Sequence, residues 1–127
     1  MFAYDPLKAQ DGDMSLADDS MEEGHMALAM GEMAEAAIHY QKATTLDSRH
    51  ADAWQCLGMA LVKLEKLDEA IVALEKLVQL RPRDQLAYTS LSLALGRAGK
   101  ISEAEEMAAK AKVATWGGDP GKIGNPA

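Results

Sequence analysis

The chain has 127 residues, of which 48% are hydrophobic and only 5% aromatic, and its formal net charge is −7. This length is typical of one domain, and a composition with many Ala, Leu, Glu and Lys residues favours helices over a β-sandwich. Residues 1–35 carry nine acidic side chains and one basic one, so the net charge lies there and the sequence excludes a nucleic-acid backbone as the main partner.

The two terminal segments differ in composition from the middle. Residues 1–16 contain Pro6 and Gly12 and have no helical period, which predicts an extended acidic leader. Phe2, Tyr4 and Leu7 could form a short docking anchor, but the composition favours an ordinary disordered leader. The leader lacks the basic start and the apolar stretch of a signal peptide. No apolar run approaches the roughly 20 residues that cross a bilayer, so we expect a cytoplasmic protein without direct membrane insertion. A single cysteine, Cys56, fits a reducing compartment.

Between the flanks, the sequence predicts six helices in three pairs. Apolar residues at three- and four-residue spacing predict helices near 16–30, 34–46, 51–64, 68–80, 84–98 and 102–115. Asp68 and Ser102 stand where N-caps are expected, and Pro82 is expected to end the fourth helix. The Gly- and Pro-rich residues 117–127 predict an irregular tail.

A spacing of 34 residues relates the three pairs. Columns of small or bulky residues recur at this offset: Gly24, Gly58 and Ser92; Ala36, Ala70 and Ala104; Tyr40, Leu74 and Ala108; Ser20, Trp54 and Tyr88. A small residue at Gly58 and at Ala70 lets the two helices of a pair approach closely. We expect repeats at about 17–50, 51–84 and 85–116.

The middle unit carries Trp54, Leu57-Gly58, Leu61, Ala70, Leu74 and Pro82, and in this pattern the chain resembles the tetratricopeptide repeat (TPR) family. The third unit departs from the pattern at Ser92 and Ala108. The first unit is the most divergent, since Ser20 and Glu23 replace the usual aromatic residue and leucine. The resemblance covers about residues 17–116. It implies an all-α fold, a right-handed α-solenoid of three helix-turn-helix units, and a non-catalytic protein–protein interaction module.

Signals of catalysis are missing from the sequence. His25, His39 and His50 are separated by 14 and 11 residues, which is not a metal-ligand pattern on one helix. Cys56 has no sequence-level partner that would make it a nucleophile. We therefore expect no enzyme activity, no cofactor and no metal.

In proteins similar to this one, the first helix of each pair lines a concave groove that binds a segment of another protein. The 34-residue register carries the groove positions to Asp18, Met21, Glu22, His25, Leu28, Gln55, Cys56, Met59, Val62, Lys63, Thr89, Ser90, Leu93 and Arg97. Such a groove is acidic at its first-repeat end, apolar in the middle and basic at Lys63 and Arg97. Met26, Met30 and Met33 are expected to fill the core of the first repeat.

The last repeat lacks a polar capping helix, so we expect Val113 and Trp116 to form a bare end face. The tail, a partner or a second copy of the chain could cover this face, which makes self-association possible. The pattern favours a TPR adaptor or an assembly (scaffold) subunit. Two alternatives stay open: a small chaperone that holds an apolar client segment, and a structural subunit of a larger enzyme complex or self-assembling array.

Overall fold

The computed structural model describes residues 14–122, and six α-helices in three consecutive pairs account for most of them. The helices are α1 (Met14–Ala29), α2 (Met33–Leu46), α3 (Ala51–Lys63), α4 (Leu67–Leu80), α5 (Gln85–Arg97) and α6 (Ile101–Thr115), and a short 3₁₀ turn follows at Pro120–Lys122. Each pair packs internally, and α2 packs on α3 as α4 packs on α5. The predicted all-α fold of three helix pairs is confirmed.

The predicted leader falls largely outside the described residues, and so do Phe2 and Tyr4. Helix α1 begins at Met14, so residues 14–16 belong to that helix. Among the described residues, none of the helices is both long enough and apolar enough to span a membrane.

The turn inside each pair is closed by the same backbone hydrogen bond. The N–H of Glu32, Lys66 and Lys100 donates to a carbonyl five residues earlier, each at 2.9 Å. This 6→1 bond requires a left-handed residue just before the donor. Gly31 (φ 79°) and Gly99 (φ 81°) supply it without strain, whereas Glu65 adopts φ 60° in the middle repeat at a conformational cost.

This turn geometry explains why the predicted N-caps Asp68 and Ser102 are wrong. One position, the N-cap, lies between the left-handed residue and the next helix. Lys66 and Lys100 occupy this position in the second and third repeats, and neither side chain makes a capping hydrogen bond. Asp68 lies instead within the first turn of α4, where its negative charge interacts favourably with the helix dipole.

The loops between pairs are held by the aromatic residue of the following helix. The Trp54 Nε1–H donates to the carbonyl oxygen of Ser48 at 2.9 Å, and the Tyr88 hydroxyl donates to the carbonyl oxygen of Pro82 at 2.6 Å. Each bond spans six residues, so one aromatic side chain fixes both the loop and the start of the next pair. Helix α4 ends at Leu80, two residues before Pro82, as the sequence predicts.

Paired helices approach each other over a glycine in the first two repeats. A methyl group at Gly58 would lie 2.5 Å from the side chain of Leu74, and one at Gly24 would lie 2.5 Å from the Tyr40 ring. Leu74 and Tyr40 are almost wholly buried. The bulky residue of the second helix therefore occupies the space that the glycine leaves open, and the pair closes tightly.

We predict that Gly58→Ala destabilises the fold by about 1–3 kcal/mol, because the added methyl group overlaps Leu74. Gly96→Ala is the matched control: its nearest neighbour across the pair is the Ala104 Cβ at 3.9 Å. There the loss of glycine freedom stabilises the helix by up to about 1 kcal/mol. Denaturant unfolding followed by circular dichroism measures both, and equal midpoints for the two variants would refute the close-contact explanation.

Candidate functional site

The first helices α1, α3 and α5 carry the predicted groove residues, and the structure places most of them at the surface. The exposed ones are Asp18, Glu22, His25, Leu28, Lys63, Thr89, Leu93 and Arg97, and the half-buried ones are Gln55, Cys56 and Met59. Met21, Val62 and Ser90 are buried instead. Met21 and Val62 belong to the hydrophobic core, so these side chains serve the packing of the helices and do not reach the groove surface.

Five of the predicted residues line one cavity of about 190 Å³ between α1, α2 and α3. They are Leu28, Gln55, Cys56, Met59 and Lys63, and Met33, Tyr40 and Ala60 complete the wall. Sequence reasoning missed Met33 and Tyr40, because both lie on the second helix of the first pair. Gly24 and Tyr40 stand in two of the recurring columns, one of small residues and one of bulky residues. A bulky residue expected to pack over that glycine is the signal that could have placed the Tyr40 ring against α1.

Each of the three histidines makes a side-chain contact that joins α1 to α2 or to the start of α3. The Nδ1 atom of His25 lies 2.7 Å from the Tyr40 hydroxyl, and their rings meet edge to face. His39 of α2 lies 3.0 Å from a carboxylate oxygen of Glu23. These contacts join the two helices of the first repeat.

His50 joins α1 to the start of α3. Its Nδ1 accepts the backbone N–H of Ala53 at 3.1 Å and so caps α3, and its Nε2 lies 3.0 Å from an oxygen of Asp18. Because Nδ1 accepts, the proton resides on Nε2 and is donated to Asp18. Sequence reasoning missed this cap, since histidine is not a usual N-cap residue.

Most charged groups near the groove already have partners. Asp52 accepts from Arg81 at 2.8 Å, and Glu65 lies 3.8 Å from Arg97. Lys63 has no ion-pair partner among residues 14–122. It is therefore the cation of this region that is open to an incoming group.

The chemistry of the cavity is that of a neutral, apolar site. Burial, and secondarily the charge of Asp52, raises the pKa of the Cys56 thiol. The thiol therefore stays protonated and is a weak nucleophile. Within the part of the chain that is described, no three His, Cys, Asp or Glu side chains come together as a metal site requires.

The C-terminal end of the solenoid is partly covered by the tail. The N–H of Gly118 donates to the carbonyl oxygen of Val113 at 2.9 Å, and Pro120 is fully buried. Asp119 lies 3.9 Å from Arg83. Val113 is half-buried as a result, whereas Trp116 stays 79% exposed.

The methionines of the first repeat divide into two groups. Met33 packs against the core, as predicted. The prediction is wrong for Met26 and Met30, which are 66% and 71% exposed. The counterparts of Met26 in the later repeats, Ala60 and Ala94, are buried, and those of Met30, Leu64 and Ala98, are half-buried. A helix pair precedes each of these positions in the chain, whereas the described residues provide no such pair in front of α1.

Comparisons with known proteins agree with this architecture. Two family models, both described as tetratricopeptide repeat, match residues 20–50 and 51–84. The peroxisomal targeting signal receptor of Yarrowia lipolytica is 35% identical over 86 residues, which is 68% of this chain and 14% of the receptor. The chain thus spans a small part of the length of that relative.

Two solved structures have the same fold. The crystal structure of MamA is similar with a TM-score of 0.76 and 28% identity, over 83% of this chain and 61% of that one. A chain of the CopN–Scc3 complex has a TM-score of 0.75 over 89% of this chain and 71% of that one. Its 18% identity makes this a likeness of fold alone.

We predict that Cys56 is alkylated by iodoacetamide with a pH midpoint above that of an ordinary thiol. Asp52→Asn removes the negative charge that disfavours the thiolate, so the pKa falls and alkylation at a fixed pH below the midpoint becomes faster. Asp68→Asn, an exposed acid on α4, serves as the control and leaves the rate unchanged. Mass spectrometry of the alkylated protein across pH gives the midpoints. A midpoint insensitive to Asp52→Asn would contradict the assigned role of that charge.

Proposed function

The chain belongs to the tetratricopeptide repeat family, and on that premise we propose that it binds a segment of another protein along the groove formed by α1, α3 and α5. One observation carries this proposal: five of the predicted groove residues, contributed by α1 and α3, surround a single apolar cavity at the surface. An apolar cavity bordered by a few polar groups is the usual form of a recognition site. A receptor of targeting signals among the relatives supports the same mode of action.

The proposed role is that of a non-catalytic adaptor or assembly subunit, a scaffold that acts by holding its partner. The histidines support this role, because each of the three is engaged in a contact that fastens α1. The neutral thiol of Cys56 supports it as well. We place the interaction in a reducing compartment such as the cytoplasm, since Cys56 has no second cysteine in this sequence with which to form a disulfide.

We further propose that the groove is electrostatically polarised, so that a partner segment enters in one direction. Of the predicted charged residues, Asp18 is paired with His50 and Arg97 with Glu65. The exposed Glu22 on α1 and the exposed Lys63 near the C-terminal end of α3 have no ion-pair partner among residues 14–122. Complementary charges at two ends of a groove fix the register and orientation of a bound segment more than they add affinity.

Site-specific photocrosslinking tests the groove. We expect a benzoylphenylalanine at Thr89 of α5 to crosslink the full-length protein to a discrete partner, and one at the exposed Val72 of α4 not to do so. Met59→Ala should weaken capture about tenfold, as truncation of a contact residue at the centre of an interface does, and Val72→Ala should leave it unchanged. Equal crosslinking at Thr89 and Val72, or capture insensitive to Met59→Ala, would refute the groove as the binding surface.

Self-association through the C-terminal end is a second proposed mode. Trp116 exposes most of its surface there, and large exposed apolar side chains favour association. We expect light scattering to detect a concentration-dependent rise in mass that Trp116→Ser abolishes. Leu86→Ser, at an exposed leucine on α5, is the control that retains it. A constant monomer mass at high concentration would refute this mode.

A further inference from the structure

The cavity between α1, α2 and α3 allows the partner's chemistry to be stated more closely. We propose that this cavity receives one bulky apolar side chain of the partner, and that an acidic side chain next to it in the partner's sequence pairs with Lys63. This inference rests on the proposed groove function and deepens it, because it names the kind of segment that the groove selects.

The size of the cavity suits one large side chain. A cavity of roughly 150 Å³ lined by apolar groups holds a molecule as large as benzene. The volume here is about 190 Å³, which accommodates a leucine, methionine or phenylalanine side chain but not two of them. The walls are lined by Leu28, Met33 and Met59, and flexible methionines adapt their shape to the guest.

The walls offer a guest little hydrogen bonding. The hydroxyl of Tyr40 is occupied by His25 at 2.7 Å. The Cys56 thiol is neutral, because burial raises its pKa. Besides Lys63, the side-chain amide of Gln55 is the polar group of the wall. A polar guest would replace few of its contacts with water, so the interior favours an apolar one.

The charge of the lining is positive. Lys63 is the one charged side chain that lines the cavity, because the other two titratable groups of the lining, Cys56 and Tyr40, are neutral. The acid nearest to Lys63 along the chain, Glu65, lies 3.8 Å from Arg97. The exposed ammonium of Lys63 thus has no competing carboxylate among the described ion pairs, and an acid on the partner complements it.

Methyl NMR of the full-length protein with ¹³C-labelled methionines tests this proposal directly. The probes are three dipeptides blocked at both ends: acetyl-Leu-Glu-amide, acetyl-Leu-Gln-amide and acetyl-Ala-Glu-amide. We expect acetyl-Leu-Glu-amide to shift the signals of Met33 and Met59, which line the cavity, and not those of Met26 and Met30, which do not. Single Met→Leu variants assign the signals. The alanine probe should produce no shift.

A double-mutant cycle isolates the ion pair. In the unmodified protein we expect acetyl-Leu-Gln-amide to bind about threefold more weakly than acetyl-Leu-Glu-amide, which is the order expected for an exposed ion pair. In Lys63→Gln the two probes should bind equally. Lys66→Gln, at an exposed lysine outside the cavity, is the matched control and should keep the threefold preference. High salt should remove the preference as well.

Three outcomes would overturn the inference: shifts at Met26 and Met30 in place of Met33 and Met59, equal affinity for the two leucine probes, or a preference that survives Lys63→Gln. A fourth is tighter binding of acetyl-leucine, whose carboxylate is terminal, than of acetyl-Leu-Glu-amide. If the probes fail while crosslinking at Thr89 still captures a partner that depends on Met59, the groove function stands and the side-chain preference is wrong. If both fail, the groove function is wrong too.

Discussion

The close approach of two helices over a residue without a side chain is the constraint on which the rest of this fold depends. Gly24 leaves room for the Tyr40 ring and Gly58 for Leu74, so each of the first two pairs closes around a single bulky group. In the third pair, Ser92 replaces the glycine and Ala108 replaces the bulky residue. There Ser92 donates to the Ala104 carbonyl oxygen at 2.7 Å, and a hollow of about 210 Å³ beside Ala108 remains open.

The same constraint shapes the candidate site. Because Gly24 lets the Tyr40 ring lie against α1, that ring forms part of the cavity wall and its hydroxyl reaches His25. In the second and third repeats an aromatic residue of the first helix bonds back to the preceding loop, whereas the first repeat has Ser20 at this position. The three histidines provide α1 with its attachments instead. These contacts engage the side chains of Asp18 and His25. The groups that remain available to bind a partner are therefore those of the cavity, together with Lys63.

Much of the site was predictable because the repeat register determines which face of each first helix points away from the core. Leu28, Met59 and Lys63 were predicted for this reason, and they lie together. Met21 and Val62 were predicted on the same grounds and are buried, since the register alone does not say where neighbouring helices touch. Met33 entered the site from α2, and no spacing within one helix could have indicated that. The N-cap His50 was missed because histidine is not a usual N-cap residue, and its contact with Asp18 was missed because it joins residues 32 positions apart.

The amino-acid sequence alone indicates the six helices, their pairing and the 34-residue repeat, because these depend on local periodicity and on small residues at fixed spacing. It also shows that the charge is concentrated in the first quarter of the chain. Which charges are free depends on how the helices pack: Asp52 pairs with Arg81 and Glu65 with Arg97, whereas Lys63 lies beside the apolar cavity. Such pairs form between side chains that the chain brings together only when the helices pack, so the availability of a charged group is a property of the folded molecule.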